Sequence, residues 1–369
     1  MILPAEISFP GKTIFKKNAY LAISGELLEY GKNGLIVHGA SLERSGKEVE
    51  IYKQFSSSSK VAFYMHDTGE PDLDTVADII RAAREINASW IAGIGGGSVL
   101  DLAKAAAGLF NAKEKPEYYQ GGGKLKEDEK GIPFIAVPTV PGSGAEVTPN
   151  AVVANGEKRN KMSIRDAGFI AKKVILDVAL LKGLPARVIS HSGMDLFVQA
   201  YESFTSRNAT WFSETLALKA LELANSSILP AYEKQDEKSL TDLLAASYLC
   251  GIAFASSRLG VIHGLAHPLG ILYGVSHGLV CSVCLLPSIE LNRDAMGEKY
   301  DVMSGVLGMD FKKRVADLLS RLNVLSPFKG KETRDGEFII SETLKSGSTA
   351  ASPKNITRDD VEYLLRSLF

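Results

Sequence analysis

Histidine is scarce in this chain of 369 residues, at six, and cysteine is scarcer, at three. A small, odd cysteine count excludes a disulfide-stapled secreted scaffold and points to a reducing cytoplasm. Cys281 and Cys284 form a C-x-x-C. With no second pair and no βαβ redox context beside it, the motif reads as two small buried residues one helical turn apart. Charge of one sign is lacking too. The chain has 42 Lys and Arg against 43 Asp and Glu, a net −1, with no block of either sign. That argues against nucleic acid or an anionic membrane as partner. The longest mostly apolar run, "GLVCSVCLLPSIEL", holds a proline and falls short of the roughly 20 residues that span a bilayer. The opening "MILPAEISFPGKT" lacks the basic region and apolar run of a secretory signal. The expectation is a cytoplasmic protein with neither a membrane nor a nucleic-acid partner.

What is present is ordinary globular material, 45% hydrophobic and 23% charged. The length calls for two domains or one large α/β unit with a second lobe. The first half alternates. Strands are expected at 34–38 ("GLIVH"), 60–65 ("KVAFYM"), 89–94 ("SWIAGI"), 133–137 ("PFIAV") and 173–176 ("KVIL"). Between the early ones lie helical patterns, clearest at 73–86 ("LDTVADIIRAAREI"). This alternation implies a mostly parallel sheet with crossover helices. Beyond about residue 180 strand patterns vanish. "NATWFSETLALKALELANSSIL", "KSLTDLLAASYLCGIAFASS", "KKRVADLLSRL" and "RDDVEYLLRSLF" read as amphipathic helices, with Pro185 and Pro287 as helix starts or breaks. The expected fold is an α/β N-terminal domain with a mostly parallel sheet (1–180) followed by an all-α C-terminal domain (181–369).

Two glycine-rich loops follow strands in the first half. In "IAGIGGGSVLDLAKAAAGLF" an apolar strand runs into Gly95, Gly96, Gly97 and Ser98 and then straight into a helix. Glycines let the backbone approach a ligand, and the unpaired N–H groups at a helix start suit a phosphate. The pattern is neither G-x-G-x-x-G nor a P-loop, and by itself it also describes a tight structural turn. A second loop, "FIAVPTVPGSGAEVT", offers Thr139, Gly142, Ser143 and Gly144. Together the two loops favour a dinucleotide cleft, since ligands of open α/β sheets sit beyond the carboxyl ends of the strands.

Half of the histidines crowd into one segment. "IHGLAHPLGILYGVSHG" holds His263, His267 and His277. His263 and His267 are four apart and share a helix face, while His277 follows a break at "YGVS". Upstream, "SGMDLFVQAYES" sets Asp195, Gln199 and Glu202 at helical spacing. Imidazoles and a carboxylate suit zinc or ferrous iron. Any one such histidine is more often a satisfied core or capping group, but three together in a histidine-poor chain point to a metal or catalytic cluster. His191 reads as structural.

Across nearly its full length the chain resembles the iron-containing (group III) alcohol dehydrogenases. The segments that carry the likeness are "GIGGGSVLDLAKA", "IPFIAVPTVPGSGAEVT", "LDVALLKGLP", "SGMDLFVQAYES", "HGLAHPLGILYGVSHG" and "SPKNITRDDVEYLLRSL". The resemblance implies a dinucleotide-binding domain, a helical domain and a metal in the cleft between them. Its aspartate ligand matches Asp195 and its two later histidine ligands match His263 and His277. His267 matches a position near the substrate, with Asp195 and His267 as the catalytic pair. Gly95, Gly96, Gly97 and Ser98 match the pyrophosphate loop, and Asp101 and Lys104 the start of its helix. Thr139, Ser143 and Thr148 match polar contacts to the cofactor, and Lys161 a lysine near the ribose. One position departs: where the family's motif is Asp-x-x-x-His, the fourth ligand here is Gln199, a neutral amide and a weaker donor. Iron is thereby in doubt, and zinc, weak binding or metal-free action are open.

The implied reaction is reversible hydride transfer between a small primary alcohol or aldehyde and NAD(P)H, the metal acting as a Lewis acid and His267 relaying a proton. NADP is favoured over NAD. After "GLIVH" comes "GASLERSG", and Gly39 stands where NAD-preferring relatives carry an acidic residue that repels a 2′-phosphate. Ser41 and Arg44 are then available to that phosphate. Beyond the substrate, the expected partner is another copy of the chain, in a homodimer or larger homo-oligomer. The competing readings are a glycerol-dehydrogenase-like polyol dehydrogenase, a dehydroquinate-synthase-like lyase and a non-catalytic relative that has lost its metal through Gln199. The lyase needs a pocket crowded with Lys and Arg, and residues 245–278 offer only Arg258.

Overall fold

The computed structural model describes residues 2–67, 69–156 and 160–369. They form two compact units. An α/β unit comprises residues 8–140 and 144–182, and a helical unit comprises 1–7, 141–143 and 183–369.

In the α/β unit the strands are β1 (Lys12–Phe15), β2 (Asn33–Gly39), β3 (Lys60–His66), β4 (Ile91–Gly95), β5 (Phe134–Pro138), β6 (Asn150–Asn155), β7 (Asn160–Arg165) and β8 (Lys173–Leu176). Its helices are α1 (Ile23–Leu28), α2 (Ala40–Arg44), α3 (Lys47–Tyr52), α4 (Leu73–Glu85), α5 (Gly97–Gly108) and α6 (Pro116–Gln120). Six strands form one sheet in the order β1-β8-β5-β4-β2-β3, every pair parallel. The expected α/β class with a parallel sheet is thus observed. The central strands β4, β5 and β8 are buried along their whole lengths, which is why, Lys173 apart, they appear as apolar runs rather than alternating ones. Helix α4 follows its periodicity: Asp72 caps it by accepting from the Thr75 N–H at 2.7 Å, and Leu73, Val76, Ile79, Ile80 and Ala83 are buried. Three strands escaped the sequence reading. β1 is a mostly exposed edge strand, and β6 and β7 form a separate antiparallel pair.

Helix α5 lies close on the sheet because the facing residues are small. It buries Ala103, Ala105, Ala106 and Ala107. A Cβ on Gly93 would stand 2.9 Å from the Ala103 Cβ, and one on Gly95 would stand 2.6 Å from the Val99 Cβ. The absent side chains therefore set how close the first turn of α5 comes to the end of β4.

No described strand lies beyond Leu176. The helical unit is built from α7 (Ala186–Thr205), α8 (Trp211–Lys234), α9 (Glu237–Ser257), α10 (Val261–Tyr273), α11 (His277–Met296), α12 (Glu298–Leu307), α13 (Phe311–Arg321), α14 (Gly336–Lys345) and α15 (Arg358–Leu368). Pro185 precedes the first residue of α7 as expected, but Pro287 does not break a helix: it lies inside α11. A proline forfeits one N–H bond, and here α11 runs on through it with Cys284, Leu285, Ser288 and Ile289 buried on either side. Helix α9 is long and apolar enough to cross a membrane by length and composition, a feature the sequence reading passed over. It packs against α7 and α8 with Leu240, Leu243, Leu244 and Cys250 buried.

The contact of α5 with β4 makes a prediction. Gly95→Ala forces its methyl onto the stiff Val99 side chain, whereas at Gly96 the nearest atom to a new Cβ is a Val140 methyl at 3.4 Å. Gly95→Ala should lose about 1–3 kcal/mol in denaturant unfolding, and Gly96→Ala should stay close to wild type.

Candidate metal centre and nucleotide loops

Within the α/β unit, the chain leaves β2 for β3 on one side and returns to β4 on the other. The carboxyl ends of these strands thus form a switch point, the usual place for a ligand in such sheets. A cleft of about 240 Å³ opens there. Gly39, Ser41 and Arg44 line it from the end of β2, Gly96, Gly97 and Ser98 from the start of α5, and His66, Asp67 and Gly69 from the end of β3 onward. Gly96 is the extended N-cap residue of α5 and supplies no side-chain cap, so the first N–H groups of a twelve-residue helix are left to an anion. A Cβ on Gly39 would meet only Val99 at 3.5 Å and Ser41 at 3.9 Å, so this position tolerates a side chain.

The remaining nucleotide-loop candidates are distributed differently. Gly95 lies buried under the loop, and its carbonyl accepts from the Thr139 N–H at 2.9 Å. The buried Thr139 hydroxyl has no hydrogen-bond partner, which leaves a polar group that a ligand can satisfy. Asp101 and Thr148 are tied into the fold through Lys104. This fully buried ammonium donates to Thr148 Oγ1 at 3.0 Å and the Asn150 carbonyl at 2.7 Å, and pairs with Asp101 Oδ1 at 3.4 Å. Asp101 Oδ2 also accepts from the Val152 N–H at 3.2 Å, so the group clamps α5 to β6. Lys161 is ion-paired with Glu70. Ser143 falls in the short segment grouped with the helical unit. Glu146, in the second glycine loop, is buried, and burial pushes its carboxyl up to about 7.

In the helical unit, three helices converge on one point. Asp195 and Gln199 sit a turn apart on α7, His263 and His267 on α10, and His277 opens α11. Two missing side chains permit the approach. A Cβ on Gly278 would stand 2.4 Å from the His191 carbonyl oxygen, so α11 lies directly on α7. A Cβ on Gly260, the N-cap residue of α10, would stand 2.7 Å from Glu202 Oε1, so that carboxylate reaches the helix start.

Asp195 Oδ1 stands 3.6 Å from His263 Nε2 and 3.7 Å from His277 Nε2. It is buried and has no hydrogen-bond partner. Gln199 turns its amide nitrogen toward this carboxylate, donating to Asp195 Oδ2 at 3.1 Å, and its own Oε1 is left without a partner. Cys281, one turn after His277, closes the group with Sγ 3.6 Å from His277 Nε2 and 4.0 Å from His263 Nε2. The four donors of Asp195, His263, His277 and Cys281 all lie within 4.8 Å of one another. His267 stands beside them, its ring centre 5.4 Å from that of His277. His191 pairs through Nδ1 with the Ser276 hydroxyl at 3.1 Å, in keeping with a structural role.

The sequence reading missed the part played by Glu202. Its Oε1 accepts from the Ile262 N–H at 2.7 Å, and its Oε2 lies 2.6 Å from His263 Nδ1. A carboxylate on Nδ1 keeps a proton there, so that Nε2 is the nitrogen that faces Asp195 and is left for a ligand. Cys281 was missed as well, being read with Cys284 instead of with His277 four residues earlier. Electrostatics reflect the crowding. Burial alone would lift the Asp195 carboxyl, but His277 and His263 hold it below the usual range. Burial opposes a charge on His263, and Cys281, Asp195 and Glu202 outweigh it, holding its pKa well above an ordinary imidazole. Burial pushes the Cys281 thiol up to about 12. Two imidazole nitrogens, an unpartnered carboxylate oxygen and a sulfur facing one point fit a divalent cation.

Comparison with known proteins agrees with this geometry. The profile of the family described as iron-containing alcohol dehydrogenase matches residues 10–178, and that of the family's C-terminal region matches 189–369. Alcohol dehydrogenase 4 of Saccharomyces cerevisiae is 28% identical over 352 residues, covering 92% of this chain and 91% of that one. Sulfoacetaldehyde reductase of Bilophila wadsworthia is 30% identical over 293 residues, covering 79% and 75%. The fold is shared with the crystal structure of sulfoacetaldehyde reductase from Bifidobacterium kashiwanohense in complex with NAD+. The TM-score is 0.91 at 24% identity, over 100% of this chain and 99% of that one.

The Glu202 contact generates the second prediction. In Glu202→Gln the amide oxygen can still accept from Ile262, which leaves an N–H group facing His263 Nδ1. That drives the ring proton to Nε2, the wrong nitrogen for a ligand. Zinc affinity, measured by competition with a chromophoric chelator, should fall about 10–100-fold, with the melting temperature little changed.

Proposed function

This chain belongs to the iron-containing alcohol dehydrogenase family and is an NAD(P)-dependent oxidoreductase of small alcohols and aldehydes; on that premise we propose that it prefers NADP(H), reduces short aldehydes, and holds a catalytic divalent metal on Asp195, His263 and His277. The observation that carries the metal assignment is the buried, unpartnered Asp195 Oδ1 facing two imidazole nitrogens at 3.6 and 3.7 Å. When bound, a cation there supplies Lewis acidity toward an alcohol or carbonyl oxygen, and the nicotinamide gives or takes the hydride.

The chain's own residues do the rest. Asp195 brings negative charge to the site, and Gln199 steadies its second oxygen at 3.1 Å. Glu202 keeps the proton of His263 on Nδ1. His267, beside His277, is the group we assign to exchange the hydroxyl proton with solvent. In the α/β unit the free N–H groups at Gly97 and Ser98 receive the pyrophosphate, and the unpartnered Thr139 hydroxyl lies by the same loop. The aldehyde named for the Bilophila relative supports an aldehyde as substrate class.

The cofactor preference rests on the end of β2. Gly39 offers no carboxylate to repel a 2′-phosphate, while Ser41 and Arg44 line the same cleft. Kinetics with a panel of short aldehydes, followed at the nicotinamide absorbance, should give a higher kcat/KM with NADPH than with NADH. Gly39→Asp fits its surroundings and should move the NADPH-to-NADH ratio of kcat/KM at least tenfold toward NADH. Gly96→Asp should abolish binding of both cofactors while leaving the fold intact. A wild-type protein that favours NADH would sink the preference, and unchanged cofactor binding in Gly96→Asp would make the loop a mere turn.

A further inference from the structure

We propose that Cys281 is the fourth protein ligand of the metal site, in the place that Gln199 does not fill, and that its sulfur biases the site toward zinc over ferrous iron. The inference rests on the metal reading above and names a donor beyond it.

The first argument is geometric. Zinc bonds of about 2.0–2.1 Å to nitrogen or oxygen and about 2.3 Å to sulfur, set at tetrahedral angles, separate neighbouring donors by roughly 3.3–3.6 Å. The observed separations are 3.6 and 3.7 Å from Asp195 Oδ1 to the two Nε2 atoms, and 3.6 and 4.0 Å from Cys281 Sγ to the same atoms. All six separations lie within 4.8 Å, so shifts of up to about an ångström bring the four donors onto one ion. Helix α11 supplies the pair: His277 and Cys281 are four residues apart and project from the same face of its first turns. Cys284, three residues further on, is also buried and lies outside the cluster.

The second argument is the posture of Gln199. Its amide could ligate only through Oε1, yet facing an ionised carboxylate the amide must present its N–H group, as it does to Asp195 Oδ2 at 3.1 Å. Gln199 is therefore a positioning residue for Asp195. A thiolate is a stronger and softer donor than an amide oxygen, and it brings a second negative charge against a dipositive ion. On binding, the Cys281 S–H bond breaks, its proton passes to water or buffer and the metal–sulfur bond forms, with no change of oxidation state.

The test uses the full chain, stripped by chelation and loaded with one equivalent of Co²⁺ or Zn²⁺. The cobalt protein should show a thiolate-to-cobalt charge-transfer band in the near ultraviolet. The band should vanish in Cys281→Ser and persist in Cys284→Ser and Gln199→Ala. Zinc affinity should fall at least tenfold in Cys281→Ser, and its zinc-to-iron affinity ratio should fall by a similar factor. X-ray absorption of the wild-type zinc protein, which needs no variant to fold, should show one sulfur at about 2.3 Å among nitrogen and oxygen neighbours. A shell of nitrogen and oxygen alone, or a Cys281→Ser protein that keeps both band and affinity, overturns the Cys281 ligand and leaves the three-ligand site standing. A wild-type protein that takes up neither ion overturns both readings.

Discussion

The docking of α10 on α7 depends on the buried carboxylate of Glu202. Glu202 is 3% exposed and spends both oxygens on α10, one on the Ile262 N–H and one on the His263 ring. A buried charge without partners costs several kcal/mol, so the contact specifies where α10 begins as strongly as any apolar packing does. The same contact turns His263, so the start of the helix and the aim of its imidazole are one constraint. Gly260 is part of it, since any side chain there would occupy the space of the carboxylate. Gly278 does the equivalent for α11 by letting it rest on the α7 backbone at His191. Asp195, His263 and His277 meet where two glycines let the three helices approach and one carboxylate ties α10 to α7.

The α/β unit reaches its site by a different route. Its cleft is made of backbone, and what shapes it is the distance between α5 and β4, fixed by Gly93, Gly95 and a row of alanines. Lys104 then locks the far side of α5 to β6 through Asp101, Thr148 and the Asn150 carbonyl. Burial lowers the Lys104 pKa and raises that of Asp101, the mark of a pair taken out of water to hold two elements in register. The uncapped N–H groups at the start of α5 are thus held in place by an ionic clamp several residues along the helix.

How much of this was legible follows from the kind of signal each feature leaves. The strands buried on both faces were visible as apolar runs, while β1 was hidden because an exposed edge strand such as "KTIF" has no apolar face to display. The pair β6 and β7 escaped because "NAVVAN" carries its alternation in small residues. Pro287 misled because a proline's local cost is plain in sequence, whereas the packing that offsets it is not. At the site, the clustering of His263, His267 and His277 was legible from scarcity alone. Glu202 was visible only as a helical spacing, since its role depends on where α10 docks. Cys281 was obscured by its neighbour: C-x-x-C draws attention to Cys284, and only the helix register of α11 turns it toward His277.

The four-donor cluster is also costly to the protein when no cation is bound. Without a cation, Asp195 Oδ1 is a buried acceptor with nothing to accept from. An orphaned polar atom of this kind costs about 1–3 kcal/mol, more when it is charged. The surrounding groups mitigate it only by keeping a proton on His263, which sets a positive charge in a buried site. A protein that needed these residues for packing alone would gain stability by replacing them with apolar side chains. A dipositive ion resolves every one of these costs together. Bound there, it would satisfy the carboxylate, take the place of the imidazole proton and favour the thiolate that burial otherwise disfavours. The donor set is therefore one whose electrostatic costs a bound cation would offset.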